Sequence, residues 1–367
     1  MRFVLTGGGT GGHIYPALSI ANGLKKEFDN PEFIYIGARA GLEHQVVPDA
    51  GYPIKYINAQ GLNRSLTLKN FKTLIKTSCG FVQSLKILKD FKPDCVIGTG
   101  GFVAGPVMLA AVVLNIPTLI HEQNAYPGLT NRLIGSHVNH VALSFQESKQ
   151  YFKGAAMTHT GNPVRESILK RGWKEGYKNL NLERERKTIL AFGGSGGAAS
   201  LNQAMLDFYI FVKDNPRFQL IHITGRRDYE KQLKAIEKKG LKLDQRIRVE
   251  EYLYNIEDAY AVSDLVISRA GAITLAELTA RGVPSILIPY PYATENHQEH
   301  NARSLEQAGA AKVILDKDLT GIALIEKIED IFSTKGMLER MKEASLKMGR
   351  PDAEKRIIQI IKDILNK

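Results

Sequence analysis

A chain of 367 residues exceeds one comfortable hydrophobic core and suits two domains of ordinary size. Its 44% hydrophobic content excludes an intrinsically disordered protein, and its longest apolar stretch, residues 107–114 between Pro106 and Pro117, is far shorter than the ~20 residues that cross a bilayer. The formal net charge of +11 points to an anionic partner: nucleic acid, a phosphorylated substrate or a membrane surface.

In chain order, the opening MRFVLTGGG reads as a first β-strand running into a turn and lacks the pattern of a signal peptide. Short apolar runs at 2–5, 33–36, 95–97, 118–120 and 140–143 read as buried strands. Segments of 3.6-residue periodicity, such as 14–28 and 71–89, lie between them. This alternation predicts a parallel sheet covered by helices on both faces. Cys79 and Cys95 give neither a disulfide framework nor a metal spacing, which points to a reducing cytoplasm. From Gly161 the stretch GNPVRESILKRGWKEGYKN is glycine-rich and charged, and suits a domain boundary. The pattern then restarts, with strands at 188–192, 219–223, 246–250, 265–268 and 285–288. The division expected is 1–163 and 164–349, with a basic C-terminal helix within 350–367 packing back on the first domain.

FVLTGGGTGGH (3–13) and ILAFGGSGGA (189–198) are each a strand, a glycine turn and a helix start. The fold class expected is therefore α/β, with two Rossmann-like doubly wound domains facing each other across a cleft. A glycine turn of this kind brings backbone N–H groups and a helix N-terminus to a phosphate. Gly7, Gly9 and Gly12 satisfy G-x-G-x-x-G, but the second strand ends Tyr35-Ile36-Gly37-Ala38 with no acid to hold a dinucleotide ribose. The absence of G-K-[ST] also excludes a P-loop. His13, at the end of the first glycine turn, is a candidate acid–base group.

Seven segments together carry a resemblance: GGGTGGHIYP (7–16), GTGGFVAGP (98–106), HEQNAYPGLTNR (121–132), GNPVR (161–165), FGGSGGAASLN (192–202), SRAGAITLAEL (268–278) and HQxxNA (297–302). Set in this order, the sequence resembles the MurG family of bacterial glycosyltransferases, which move N-acetylglucosamine (GlcNAc) from UDP-GlcNAc onto lipid I. The resemblance implies the GT-B fold and an inverting transfer, because an α-glycosyl donor gives a β-1,4 product in one displacement.

The resemblance also implies site roles. Glu277 matches a carboxylate that accepts from the uridine ribose hydroxyls. Leu253, a variable hydrophobic position, lies where the backbone meets uracil, and Ala272, Ile273, Thr274, Leu275 and Ala276 line the same pocket. Ser195 and Arg165 match positions at the diphosphate, Asn124 and Gln298 positions at the sugar, and Thr10, Gly11 and Gly12 the loop that closes over the donor. His297 stands where some members have a second glutamine. His13 is the expected base for the acceptor 4-hydroxyl, with Glu122 in reserve. The 193–197 loop, its helix dipole and Arg165 would hold the departing UDP.

The D-x-D at Asp316-Lys317-Asp318 reads as turn and capping residues, so no metal or other cofactor is expected. The segment from Leu62 to Lys92 carries seven basic side chains and one acid, interleaved with leucine, isoleucine and phenylalanine. It fits either an ordinary amphipathic helix or a surface for anionic phospholipid at ~1 kcal/mol per contacting charge. A nucleic-acid groove is disfavoured, since Tyr, Trp and dense Arg are missing from it. An acceptor with a polyprenyl tail favours the lipid reading and a peripheral place on the cytoplasmic face of the bacterial plasma (inner) membrane. The competing functions are a UDP-GlcNAc 2-epimerase, a transferase with a soluble acceptor and a non-catalytic nucleotide-sugar scaffold.

Overall fold

The computed structural model describes residues 1–60, 68–194 and 196–366, with the backbone alone over 68–76. The chain divides into two compact units, residues 1–163 with 351–367, and residues 164–350.

In the first unit seven strands form one all-parallel sheet: β1 (Arg2–Thr6), β2 (Glu32–Gly37), β3 (Ile54–Tyr56), β4 (Cys95–Gly98), β5 (Thr118–Glu122), β6 (His140–Leu143) and β7 (Met157–His159). Their order is β3-β2-β1-β4-β5-β6-β7. The second unit repeats the scheme with β8 (Lys187–Phe192), β9 (Phe218–Ile223), β10 (Ile247–Glu250), β11 (Leu265–Ser268), β12 (Ser285–Leu287) and β13 (Ala311–Val313), in the order β10-β9-β8-β11-β12-β13. Every run read as a strand is one. The strands not foreseen, β3, β7 and β13, are three-residue edge strands, too short for a hydrophobic pattern to register.

The winding reverses between β1 and β4 in the first sheet and between β8 and β11 in the second. In doubly wound sheets, ligands bind beyond the carboxyl ends of the strands at that reversal. Both glycine turns, Gly7–Gly9 after β1 and Gly193–Gly197 after β8, stand there.

Two apolar layers sandwich the first sheet. One is built from helix Gly11–Glu27 and the C-terminal helix Ala353–Leu365, the other from the helices at 68–91 and 104–113. The C-terminal helix buries Ile357, Ile358, Ile360, Ile361 and Ile364. At about 1.5–3 kcal/mol for each such side chain, that face contributes on the scale of a domain's whole stability of about 5–15 kcal/mol. Gly23 lets the two helices approach: a Cβ there would lie 3.0 Å from Glu354 Cγ. The glycine-rich stretch beyond Pro163 is no loose linker. It forms helices Glu166–Lys170 and Trp173–Leu180 of the second unit, with Ile168 and Leu180 buried.

Candidate active site

In the first unit the glycines of the opening turn are required, but not as a bare phosphate cradle. A Cβ on Gly7 would lie 2.0 Å from Thr99 Oγ1, and one on Gly101, at φ +82°, 2.3 Å from the Gly8 carbonyl. The turns after β1 and β4 are pressed together backbone to backbone. Gly8 N–H donates to the Gly100 carbonyl (3.2 Å) and Gly9 N–H to Glu43 Oε2 (3.0 Å). Glu43 is fully buried, and its other oxygen accepts from Ala38 N–H (3.0 Å). The Gly8 and Gly9 amides are therefore consumed inside the protein, beside a carboxylate that would repel an anion. Those two amides are not available to a phosphate. Only after Thr10, where the helix starts at Gly11 and Gly12, do the first helical amides lack a carbonyl one turn back to receive them.

His13 lies in the first turn of that helix, two residues inside its start. Its Nδ1 is 2.9 Å from the Thr99 carbonyl oxygen and 3.2 Å from Gln123 Oε1. Both are acceptors, so Nδ1 carries the proton and a neutral His13 holds its basic lone pair on Nε2. Gln123 belongs to the loop after β5, which brings the GGH and HEQN motifs into direct contact.

Glu122 behaves differently. Its Oε1 accepts from Asn124 N–H (2.9 Å) and Asn124 Nδ2 (3.3 Å), and its Oε2 from Asn131 Nδ2 (2.8 Å) and Gly128 N–H (3.2 Å). Burial pushes its carboxyl upward while those donors pull it back. A buried carboxylate bonded at both oxygens to its own loop holds the loop. Glu122, expected as the reserve base, thus has both oxygens engaged within its own loop, two of the bonds coming from Asn124, the expected sugar contact.

In the second unit, Gly197 (φ +78°) closes the turn by donating to the Gly194 carbonyl (2.9 Å), and a Cβ there would meet the Thr224 carbonyl at 2.5 Å. Arg227 donates to the Gly196 carbonyl from Nε (3.1 Å) and Nη2 (2.8 Å), a cation beside this turn that no motif marked. Beneath it Asn202 donates to the Thr224 carbonyl (3.0 Å), and His222 bonds Asn202 Oδ1 (3.0 Å). Burial pushes His222 down to about 3, so it is neutral. Ser195 lies outside the described residues.

Helix Ala272–Arg281 follows β11 and carries Glu277 on its buried side. Arg165 Nε (3.3 Å) and Nη2 (3.2 Å) donate to Glu277 Oε1, and Tyr260 OH donates to Oε2 (3.1 Å). Residues assigned from sequence to opposite ends of a nucleotide are thus bonded to each other. Burial holds the Glu277 carboxyl above its ordinary range, with the Arg165 charge and the Tyr260 hydroxyl opposing it. Arg165 uses two of its five N–H groups here, and three remain for an anion. Of the expected uracil-pocket residues, Ala272 and Leu275 are buried, while Leu253, Ile273, Thr274 and Ala276 are half-buried. Leu275 is sealed in the interior, with its N–H donated to the Gly271 carbonyl (3.0 Å) and its carbonyl accepting from Thr279 Oγ1 (2.8 Å).

Gln298 Oε1 accepts from Ala270 N–H (3.1 Å) and Tyr290 N–H (3.0 Å). Two backbone donors fix the amide orientation, so the Gln298 NH2 group is left as its donor side. Asn301, from the same motif, is buried and donates to the Ala270 carbonyl (3.3 Å). His297 bonds the Thr294 carbonyl through Nδ1 (2.7 Å), and burial lowers its pKa.

Asp316 accepts from Ser200 Oγ (2.6 Å) and pairs with Arg269. It sits in a 3-10 turn as expected, but the cap of the next helix is Thr320, which accepts from Ala323 N–H (3.1 Å). No group of three or more His, Cys, Asp or Glu side chains among the described residues is arranged to hold a metal ion.

From Leu68 onward the basic segment forms helix Leu68–Phe91, and its residues 62–67 lie outside the described residues. Leu88 is buried and Phe81, Leu85 and Ile87 pack on the core, so these apolar residues do not face a lipid. Leu66 and the side chains of Leu68, Phe71, Leu74 and Ile75 lie outside the described residues. Val82 is 63% exposed, and the helices packed next along this side add exposed Leu109, Val113, Leu129 and Leu133, the last at 67%. Periodicity over the basic segment alone does not reveal that apolar surface. No helix among the described residues is long and apolar enough to cross a membrane.

Residues 3–143 match the N-terminal domain of glycosyltransferase family 28, and residues 188–357 its C-terminal domain. The chain belongs to glycosyltransferase family 28. Its sequence is 50% identical, over 99% of both chains, to a Halothermothrix orenii protein named UDP-N-acetylglucosamine–N-acetylmuramyl-(pentapeptide) pyrophosphoryl-undecaprenol N-acetylglucosamine transferase. It is 46% identical to the Desulforamulus reducens protein of that name, over 100% of this chain and 99% of the relative. Among solved structures it is similar to Acinetobacter baumannii MurG, with TM-score 0.79 and 27% identity over 99% of both chains. That family member has the GT-B fold, to which the two parallel-sheet units conform. The Neisseria meningitidis UDP-GlcNAc 2-epimerase bound to UDP-GlcNAc shares the fold, with TM-score 0.68 and 16% identity over 99% of this chain and 100% of the other.

Proposed function

We propose that this family 28 enzyme transfers N-acetylglucosamine from UDP-GlcNAc to the 4-hydroxyl of the muramoyl sugar in lipid I, forming lipid II for peptidoglycan. The observation that carries the reading is identity at half of its positions, along the full chain, with a transferase of that name. The epimerase alternative shares only the fold.

In the proposed mechanism His13 Nε2 takes the proton of the acceptor hydroxyl as its oxygen attacks the anomeric carbon. The carbon–oxygen bond to UDP breaks with inversion through an oxocarbenium-like transition state. The negative charge of the departing diphosphate falls to Arg165, Ser195 and the amides and helix dipole of the second glycine turn. Glu277 accepts from the ribose hydroxyls, and Leu253 with Ala272, Ile273, Thr274, Leu275 and Ala276 surrounds uracil. Gln298 donates to the sugar, with Asn124, Thr10, Gly11 and Gly12 as further donor contacts. The unit of residues 1–163 serves the acceptor and membrane, and that of residues 164–350 binds UDP-GlcNAc. The test is transfer of labelled GlcNAc to a lipid I analogue with and without a chelator. We expect product in both arms. Turnover of UDP-GlcNAc with no acceptor present would favour the epimerase, and binding without transfer a scaffold.

We further propose a peripheral place on the cytoplasmic face of the inner membrane, supported by the basic helix and the exposed Val82, Leu109, Val113, Leu129 and Leu133. Replacing Lys69, Lys72, Lys76 and Lys86 by Gln should lower binding to anionic vesicles at low salt. At ~1 kcal/mol per contacting charge, two contacts change partition by roughly tenfold or more. Replacing Val82, Leu109 and Leu133 by Gln should lower it as well, with no change in thermal midpoint, because these side chains are exposed. Vesicle sedimentation measures both. Binding equal to wild type in both variants would make the lysines an ordinary solvated face.

A further inference from the structure

We infer that Gln123 is a positioning residue that fixes His13 in the tautomer with its proton on Nδ1, and that His121 in turn fixes Gln123. The consequence for catalysis rests on the reading of His13 as the base.

The chain of dependence starts at the Gly161 carbonyl, which can only accept. His121 Nε2 lies 3.2 Å from it and so carries the proton. Ser144 Oγ, 3.2 Å from the same nitrogen, is a hydroxyl and can accept as well. Full burial pushes His121 down to about 4, so the ring is neutral and its Nδ1 is left with a lone pair. Gln123 Nε2 stands 3.1 Å from that nitrogen and 2.8 Å from the His121 carbonyl. Both positions demand a donor, which sets the amide: nitrogen toward His121, oxygen toward His13. Gln123 is itself buried, so solvent does not offer its amide an alternative.

Gln123 Oε1 then faces His13 Nδ1 at 3.2 Å, beside the Thr99 carbonyl at 2.9 Å. A proton on Nε2 instead would aim the Nδ1 lone pair at two oxygens. A base that acts through Nε2 needs the opposite arrangement, and an orienting group on the other ring nitrogen is the general means of securing it. Backbone packing holds the ring as well: a Cβ on Gly100, at φ +101°, would lie 3.0 Å from His13 Nδ1.

The test has a spectroscopic arm and a kinetic arm. Protein labelled with 15N-histidine gives the tautomer of His13 from long-range proton–nitrogen correlations, assigned by loss of the signal in His13→Asn. Wild type should show the Nδ1–H form. Gln123→Met, similar in length and without an acceptor, should make the Nε2–H form detectable. It should also lower kcat with a lipid I analogue by roughly tenfold, the scale on which removing an orienting partner acts, and leave KM for UDP-GlcNAc unchanged. A wild-type spectrum of the Nε2–H form would overturn the proposal, and that measurement needs no variant to fold. So would a folded Gln123→Met with unchanged kcat, whatever its tautomer. Near-normal turnover of His13→Ala would remove the base reading while the tautomer result stood, so the two failures are distinguishable.

Discussion

Alanine at position 13 should lower turnover by about 10²–10⁴-fold, the usual contribution of a general base, with little change in the affinity for UDP-GlcNAc. The size of the effect follows from what the acceptor needs. A sugar hydroxyl is a poor nucleophile until its proton has somewhere to go, and His13 has its basic nitrogen determined by the two acceptors on the opposite side of the ring. Glu122 is the nearest substitute in sequence motifs, yet both its oxygens are bonded within its own loop. Single-turnover transfer to a lipid I analogue, with donor affinity measured separately by calorimetry, separates chemistry from binding. His13→Asn, which keeps a polar group on Thr99 and Gln123, should be nearly as impaired. Near-normal turnover in either variant would move the proton acceptor to Glu122 or to water.

The fold was largely legible because the central strands are buried on both faces and read as continuous apolar runs, as in β1 and β8. The edge strands β3, β7 and β13 pair on one side only and left no such run. The need for glycine in both turns was legible too, but not its cause in the first. Whether Gly9 N–H meets a ligand or a carboxylate depends on Glu43, 34 residues away, and no local pattern carries that pairing. The same holds for Tyr260, which donates to Glu277 from a different helix. Gln123 lay inside a recognised motif, and only the geometry separates its role from that of Glu122 next to it. In the basic segment the sequence offered a core helix and a lipid surface as alternatives. The structure assigns Leu88 to the core and leaves Val82 exposed, so the helix has a core face and an exposed apolar residue, and which of them a residue joins depends on the packing of the neighbouring helix.

Replacing Glu277 by alanine should weaken binding of both UDP-GlcNAc and free UDP by on the order of 1.5–3 kcal/mol, the value of hydrogen bonds to a charged group. That corresponds to roughly ten- to a hundredfold in Kd. The carboxylate also anchors Arg165 and the buried Tyr260 hydroxyl, so alanine would cost stability as well, and a drop in affinity could reflect a distorted pocket. Glu277→Gln separates the two effects. It keeps the shape and one acceptor oxygen, which preserves packing, but removes the charge that strengthens bonds to ribose hydroxyls and holds Arg165. A Glu277→Gln variant with a wild-type thermal midpoint and weakened UDP binding would locate the loss in the nucleotide contact. The pH dependence supplies an independent check. Because burial raises the Glu277 pKa, acidification should protonate it before ordinary surface carboxylates, and wild-type UDP affinity should fall in that range. The Gln variant has no carboxyl to protonate, so this part of the pH dependence should vanish from its titration. Unchanged Kd for UDP in Glu277→Ala, or an identical pH profile in wild type and Glu277→Gln, would remove the carboxylate from the nucleotide site and leave it as the anchor of Arg165 and Tyr260.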